Sequence, residues 1–314
     1  MAYDLTNVNF RTVTDRQGFM AECDQAYKDR VAKAADLIAE NRKNSPIVLL
    51  SGPSGSGKTT TALKIAEELQ RRGVNSHAVA MDNYFKTVNR RTAPRTPEGD
   101  IDYESPLCMD MDLLSAHFTA LSRGEEIIIP KFEFARQMRS AIKSHPLQLG
   151  KDDIAIFEGI HALNDIITGK NQNAMKVYIS ARSNVVDEEG KIAFKGTWMR
   201  LERRTVRDAK FRSWEPEVTV KMWANVRRGE KLYISPFKDN ANIQFDSSLP
   251  YEVNAIKAFS QPLFEHLHLD PAMERYEEIG HLVKAYPKFE TLDEKYVAAD
   301  SLIREFIGGG IYDD

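Results

Sequence analysis

The chain has 314 residues, of which 42% are hydrophobic and 28% are charged, and its formal net charge is −3. This length and composition predict a globular protein with one large α/β domain or two small ones, and the charge gives no argument for nucleic acid or a membrane surface as a partner. With two cysteines and no long apolar run, the chain offers no disulfide framework, cysteine-based zinc site, secretion signal or transmembrane segment, so we expect a cytoplasmic protein.

The first 45 residues predict a helical extension that precedes the first strand. Apolar side chains recur near one helical face, at Phe19, Cys23, Tyr27, Val31, Ala34 and Ile38. We therefore expect a long helix in this region that packs onto the core of the following domain.

A glycine-rich turn follows the first predicted strand, 46–51. It has the P-loop spacing, and apolar residues at helical intervals after it predict a helix that ends near Gly73. Backbone N–H groups of such a turn bind phosphate oxygens, while Lys58 can reach the β- and γ-phosphates and the Thr59 hydroxyl suits Mg²⁺. The turn predicts a nucleoside triphosphate site made of Gly52, Ser54, Gly55, Ser56, Gly57, Lys58, Thr59 and Thr60.

Further short apolar runs alternate with helical or polar stretches. With the first strand they give candidate strands at 46–51, 76–81, 153–157, 175–180 and 242–245. This alternation predicts an α/β fold of the P-loop NTPase type, with a parallel sheet flanked by helices over residues 46–250. The segment 85–106 predicts a long surface loop, and 124–149 predicts a β-hairpin excursion from the sheet.

Two of these strands deliver a carboxylate at their C-terminal ends, where ligands bind in open α/β sheets. Asp82 follows the run 77–81, and Glu158 follows the run 154–157. Asp82 can accept a proton from an attacking hydroxyl or hold Mg²⁺ through water, and Glu158 can support Mg²⁺. The alternative for each carboxylate is a cap on the next helix.

Aromatic and charged residues around the hairpin excursion predict a second pocket, beside Asp82. Flat apolar walls with a few polar groups suit a nucleobase and a ribose. Core packing is an equal alternative for each aromatic residue taken singly. The candidates are Tyr84, Phe85, Tyr103, Glu104, Phe132, Phe134 and Arg139.

The segment 191–212 is strongly basic. On a helix, four arginines share one face, at Arg200, Arg203, Arg204 and Arg207. Such a run is usually a solvated helix face. Phosphoryl transfer, however, requires cations over the migrating group, and these often belong to a mobile lid, so we predict that at least one arginine contacts phosphate. The tail 251–314 predicts a helical segment packed on the central domain, and we assign it no chemical role from the sequence.

The order of these motifs resembles the uridine kinase family of P-loop nucleoside kinases, in its bacterial branch. The resemblance covers about residues 46–255, and its motifs are specific because they occur together in the right order. After the P-loop they lie at 81–85, 101–104, 130–134 with Arg139, 157–160, 200–208, 226–230 and 233–237.

The resemblance implies a kinase that uses ATP and Mg²⁺ to phosphorylate the 5′-hydroxyl of a nucleoside, uridine or cytidine, in pyrimidine salvage. It implies that Asp82 is the base, that Thr59 and Glu158 support Mg²⁺ beside Asp82, and that Lys58 holds the β/γ-phosphates. Arg200, Arg204 and Arg207 would belong to a lid at about 191–235. The nucleoside would lie against Glu104 at the ribose and against the group Tyr84, Phe85, Phe132, Phe134 and Arg139.

Two departures from the family concern the end that recognises the base. The aromatic pair reads Tyr84-Phe85, whereas pyrimidine-specific members often end this pair in Tyr, and Gln137 stands where they tend to carry His. A sugar phosphate or a pantothenate-like compound is therefore an alternative acceptor. A non-catalytic ATP-binding regulator is a further alternative. Glu104 and Arg139 argue against it, because a protein that only binds ATP would not need residues on the acceptor side. Self-association into a homo-oligomer stays open.

Overall fold

The computed structural model describes residues 2–169 and 171–312. The strands are β1 Ala2–Asp4, β2 Ile47–Ser51, β3 Ser76–Ala80, β4 Ile127–Ile129, β5 Phe132–Glu133, β6 Met138–Arg139, β7 His145–Leu147, β8 Ile154–Glu158, β9 Met175–Ser180, β10 Asn184–Val186, β11 Ile192–Phe194 and β12 Ile243–Asp246. The α-helices are α1 Leu5–Thr14, α2 Arg16–Asn41, α3 Lys58–Arg71, α4 Met111–Ser122, α5 Asp165–Thr168, α6 Gly196–Arg212, α7 Pro216–Gly229, α8 Glu252–Glu265, α9 Tyr276–Ala285 and α10 Arg304–Ile307. In the described part of the chain no helix is both long and apolar enough to cross a membrane.

Five parallel strands form the central sheet, in the order β12-β9-β2-β8-β3. Helices cover both faces, so the predicted α/β fold is confirmed, and each of the five predicted strands matches a strand of this sheet within two residues at either end. The glycine-rich turn follows β2, the middle strand. It therefore lies at the centre of the carboxyl edge, where ligands bind in sheets of this kind.

The sheet separates two apolar clusters, because alternate side chains of a strand point to opposite faces. Val48 and Leu50 of β2 pack with α2 and α3, whereas Ile47 and Leu49 pack with α4. Burial on both faces explains why β2 reads as an unbroken apolar run rather than an alternating one. The predicted N-terminal helix is confirmed as α2, and all six residues of its predicted face are buried.

The sequence does not reveal β1 and α1 in the N-terminal segment. Strand β1 pairs in parallel with β10, and β10 pairs with β11 to form a small separate sheet. A strand of three residues carries too short a pattern to be recognised, and its pairing partner lies some 180 residues away. Oδ1 of Asn184 in β10 accepts a hydrogen bond from the backbone N–H of Gly196 at 2.9 Å, so this sheet positions the N-terminus of α6.

The hairpin excursion is confirmed as two short antiparallel pairs, β4 with β7 and β5 with β6. The predicted loop 85–106 is confirmed as irregular, but it is not entirely a surface feature. Asp102 within it is buried, accepts a hydrogen bond from the Tyr233 hydroxyl at 3.1 Å and pairs with Arg228 at 2.8 Å. Asp102 thus connects the loop to the end of α7 and to the segment that follows it.

The basic helix α6 is a core element rather than a solvated face. It packs against α7, α8 and α10, and Arg200, Arg203 and Arg204 are all buried. Because α6 is already packed beside the glycine-rich turn, its arginines reach that turn in this conformation without the movement that a mobile lid would make.

Glu202, on the buried face of α6, predicts a pH-dependent stability. Burial raises its pKa from 4.5 to about 8, although the Ser260 hydroxyl donates to it at 2.5 Å. Since the unfolded chain ionises near 4.5, the free energy of unfolding should fall between pH 4.5 and 8, by up to about 1.4 kcal/mol per pH unit. Glu202→Gln should flatten this decline, as urea unfolding at pH 5 and pH 8 would measure.

The matched control is Glu189→Gln, because Glu189 is exposed on the β10–β11 turn. That variant should keep the wild-type dependence on pH. An unchanged slope in Glu202→Gln would mean that Glu202 does not hold its proton in the folded protein.

Candidate active site

The turn between β2 and α3 is shaped to approach an anion closely. Gly55 and Gly57 have φ values of 72° and 76°, a region that favours glycine. A Cβ on Gly52 would lie 2.0 Å from the carbonyl oxygen of Ile179, so the turn sits directly on β9. The predicted phosphate-binding residues, 52 and 54–60, all belong to this turn or to the first turn of α3. The Nζ of Lys58 donates to the carbonyl oxygen of Pro53 at 3.2 Å and closes the turn.

Three neighbouring strands bring the predicted metal and base residues together. Glu158 at the end of β8 is in register with Leu50 of β2 and Ala80 of β3, and Asp82 follows β3 in a short 3-10 turn. The Thr59 hydroxyl donates to Oε1 of Glu158 at 3.4 Å. Thr59, Glu158 and Asp82 thus surround Lys58, as the strand ends predict.

The charges of this group are interdependent. Burial raises the pKa of Glu158 to about 7; Lys58 opposes the rise and Asp82 adds to it. Burial by the cleft walls also raises the pKa of Asp82, although its side chain remains open to solvent, and Lys58 opposes this. Burial lowers the pKa of Lys58 against the pull of both carboxylates. An oxygen-ligated cation would relieve the repulsion between the two carboxylates.

The donor set fits Mg²⁺ held partly by water and phosphate. Within residues 2–169 and 171–312, no group of three or more His, Cys, Asp or Glu could hold a metal ion. Mg²⁺ is usually bound by one or two carboxylates, several waters and substrate phosphates rather than by an all-protein cage. The hydroxyl of Thr59 and the carboxylates of Glu158 and Asp82 are suitable ligands of that kind.

The predicted arginines contact two different parts of the site. Arg204 donates to Oγ of Ser54 at 2.8 Å, and Arg207 is one of the charges that lower the pKa of Asp82. These two arginines therefore act on the side of the turn that faces the predicted phosphates and the base. Arg200 instead donates to the carbonyl oxygen of Ser54 at 3.0 Å and forms a buried pair with Glu230. Arg200 therefore acts on the backbone of the turn from behind.

Two further charged residues near the centre are absent from the predicted set. Arg212, the last residue of α6, also lowers the pKa of Asp82, and it becomes a candidate only when α6 is known to extend that far. Glu305, in α10, accepts two hydrogen bonds from Thr60. The Thr60 hydroxyl donates at 2.5 Å and the Thr60 backbone N–H at 3.4 Å. No local pattern connects Glu305 to a turn 245 residues away.

The predicted acceptor side is only partly assembled as expected. Phe85, Phe132 and Phe134 form an aromatic group with ring centroids 5.1–6.3 Å apart, and Phe134 is 60% exposed. Burial raises the pKa of Glu104 to about 7, and Arg204 and Lys58 oppose this. Glu104 therefore lies within the field of the phosphate-binding groups.

Tyr84 and Arg139 differ from the prediction. Tyr84 is fully buried, and its hydroxyl is hydrogen-bonded to Nδ1 of His117 at 2.8 Å, so it is a core residue that no substrate could contact here. Arg139 pairs with Asp110 at 3.1 Å and donates to the carbonyl oxygens of Tyr84 and Phe85. It fastens the hairpin to the turn that carries Asp82. Tyr103 is half-exposed and accepts a hydrogen bond from Gln137.

Comparisons with known proteins identify a family and several relatives of this chain. The family model described as phosphoribulokinase/uridine kinase matches residues 47–253. A uridine kinase of Halobacterium salinarum is 27% identical over 195 residues, 62% of this chain and 76% of the relative. One of Brevibacillus brevis is 29% identical over 201 residues, 64% and 84% of the two chains. A solved structure of a provisionally named fructose transport system kinase from Silicibacter sp. TM1040 has a TM-score of 0.49 and 21% identity, over 68% of this chain and 98% of that one.

Proposed function

This chain belongs to the phosphoribulokinase/uridine kinase family and is a phosphotransferase that acts on a hydroxyl group, and from that premise we propose that it is an ATP- and Mg²⁺-dependent nucleoside kinase. Its acceptor would be the 5′-hydroxyl of uridine or cytidine, and we expect it to work in the cytoplasm. The observation that carries the proposal is the grouping of Lys58, Thr59, Glu158 and Asp82 at the ends of three adjacent strands.

In the proposed mechanism the backbone of the turn 52–60 holds the phosphates of ATP. Thr59 and Glu158 would hold Mg²⁺, which when bound would supply positive charge to neutralise the transferring group. Asp82 orients the acceptor hydroxyl and takes its proton as the oxygen attacks the γ-phosphorus. Lys58, Arg204 and Arg207 stabilise charge in the transition state, and this positioning and charge supply most of the rate.

We propose that the acceptor lies between the hairpin excursion and Asp82. Phe85, Phe132 and Phe134 offer a flat apolar wall for a base, and the carboxylate of Glu104 can accept hydrogen bonds from ribose hydroxyls. The proposed pocket does not include Tyr84. Arg139 positions the pocket by joining the hairpin to the turn that carries Asp82. Substrate recognition therefore depends on the three phenylalanines and Glu104.

A transfer assay with γ-labelled ATP tests the proposal directly. The acceptors are nucleosides, sugar phosphates and pantothenate, each at the same concentration. We expect label in uridine or cytidine. If only a sugar phosphate or pantothenate were labelled, the proposed acceptor would be wrong, whereas the proposed reaction, phosphoryl transfer from ATP to a hydroxyl, would stand. ATP binding in calorimetry with no acceptor labelled would favour a regulator that binds ATP without catalysis.

The position of Glu305 predicts that the protein binds ATP more weakly than it would without this carboxylate. Its carboxylate occupies hydrogen-bond donors at the N-terminus of α3, where phosphate oxygens bind in P-loop proteins. Glu305→Gln removes this competing charge and should lower the dissociation constant of ATP by about tenfold, since a like charge close to a phosphate is costly. Calorimetric titration with ATP measures the change. Glu290→Gln, an exposed change in the same C-terminal segment, should leave the affinity unaltered. Equal affinities in both variants would show that Glu305 is only a helix cap.

A further inference from the structure

A cavity lies behind the glycine-rich turn. It has a volume of about 380 Å³ and is bounded by the end of β9, the N-terminus of α6 and the segment after α7. Pro53 of the turn lines one side of it, and Tyr178 of β9 lines another. Tyr178 belongs to the apolar cluster on the face of the sheet that carries α4, whereas α3 packs on the opposite face. The cavity is therefore separate from the backbone N–H groups at the start of α3.

The lining of the cavity is strongly basic. Its cationic side chains are Arg182, Lys195, Arg200, Arg227 and Lys238. Among the described residues that line it, Glu230 is the one carboxylate, and both Arg200 and Arg227 pair with it. The other three cations are exposed at the mouth and pair with no carboxylate among the described residues. Such a concentration of one sign of charge in a concave site attracts small anions.

Two neutral groups suit the same ligand. The side chain of Tyr178 is only 7% exposed, and its hydroxyl, which faces the cavity, makes no hydrogen bond with any described residue. The hydroxyl oxygen itself is not fully buried, so it is free to donate to a ligand in the cavity. In addition, Gly196 and Thr197 bring the N-terminus of the 17-residue helix α6 to the cavity wall, where the helix dipole favours negative charge.

We propose that this cavity is a second anion site, which takes a small phosphate-bearing metabolite and acts on the glycine-rich turn through Arg200. The volume is that of ordinary small-molecule sites, and the ring of Tyr178 offers a flat surface beside the cations. The guanidinium of Arg200 joins the cavity to the turn, because it contacts Glu230 and the carbonyl oxygen of Ser54 at once. An anion competes with Glu230 for Arg200 and so changes the hold on Ser54.

Inorganic pyrophosphate is the probe, in calorimetric titrations of the full chain. The wild type should bind two equivalents, one at the turn 52–60 and one in the cavity. Lys58→Ala should lose the first and keep the second. Arg182→Ala/Lys238→Ala should weaken the second by about tenfold or more, because two cations at the mouth are lost, and keep the first. Lys43→Ala/Lys151→Ala, which removes two exposed charges elsewhere, should bind as the wild type does.

One equivalent in the wild type, abolished by Lys58→Ala, would overturn the second site, and so would two equivalents that Arg182→Ala/Lys238→Ala leaves untouched. The link to the turn has its own readout. In Lys58→Ala, pyrophosphate should alter amide hydrogen exchange within residues 52–57. Binding without any change there would refute the link through Arg200. Neither result depends on which acceptor the enzyme phosphorylates.

Discussion

Replacing Asp82 with asparagine should lower turnover by about 10²–10⁴-fold while leaving the affinity for ATP nearly unchanged. Asparagine keeps the size of the side chain at the end of β3 but cannot take a proton from the acceptor. The phosphates would still be held by the turn 52–60 and Lys58, which the substitution does not touch. Steady-state kinetics with uridine, together with calorimetric titration of ATP, separate the two effects.

The pH–rate profile adds a second readout for Asp82. Because the surrounding cleft raises the pKa of this carboxyl, activity of the wild type should rise with pH as the base ionises. In Asp82→Asn the part of that ascending limb that belongs to Asp82 should be lost, so the limb should change shape and keep only the contributions of Glu158 and Glu104. Asp112→Asn, an exposed change in the first turn of α4, is the matched control and should behave as the wild type. Undiminished turnover in Asp82→Asn would remove Asp82 from the role of base.

Replacing Glu252 with alanine should cost about 3–5 kcal/mol of the free energy of unfolding, because it leaves a buried arginine without its counter-charge. Arg203 and Glu252 are both 0% exposed and meet in two hydrogen bonds, of 2.5 and 2.6 Å. Arg203 also donates to the carbonyl oxygens of Gly55 and Ser247. The pair thus joins α6 and α8 to the phosphate-binding turn. Urea unfolding measures the loss.

The double variant Arg203→Met/Glu252→Leu tests the reason for that loss. It removes both charges and keeps most of the volume, so it should be markedly more stable than Glu252→Ala. If the single and double variants were equally destabilised, lost packing and lost backbone hydrogen bonds would explain the effect better than an unpaired charge. Glu125→Ala, which breaks an exposed pair with Arg123, should change stability little.

The donor half of the candidate site was predictable because its information is local. The turn 52–60 lies in one stretch, and Asp82 and Glu158 each follow an apolar strand directly. Parallel strands place their carboxyl ends at one edge, so the strand pattern placed both carboxylates at that edge, whereas their adjacency comes from the pairing of β3 with β8. The proposed roles of these residues remain predictions that the variants above test.

The acceptor half was less predictable, because aromatic residues serve cores and pockets equally well. Nothing in the order Tyr84-Phe85 indicates that the first ring faces His117 in the core while the second joins Phe132 and Phe134. The same holds for Arg139, whose partner Asp110 lies 29 residues away. Burial of a side chain is decided by what packs over it, and that is a property of the whole fold.

The strands of the central sheet, the phosphate-binding turn and the carboxylates at the strand ends were predictable from the sequence, since periodicity and motif spacing act over a few residues. The direction of each arginine of α6 depends on tertiary packing, because four side chains on one helical face become distinct only when different neighbours surround them. Arg203 meets Glu252, Arg200 meets Glu230, and Arg204 meets Ser54. Tertiary contact likewise brought Glu305 to Thr60, across a separation that no local pattern spans.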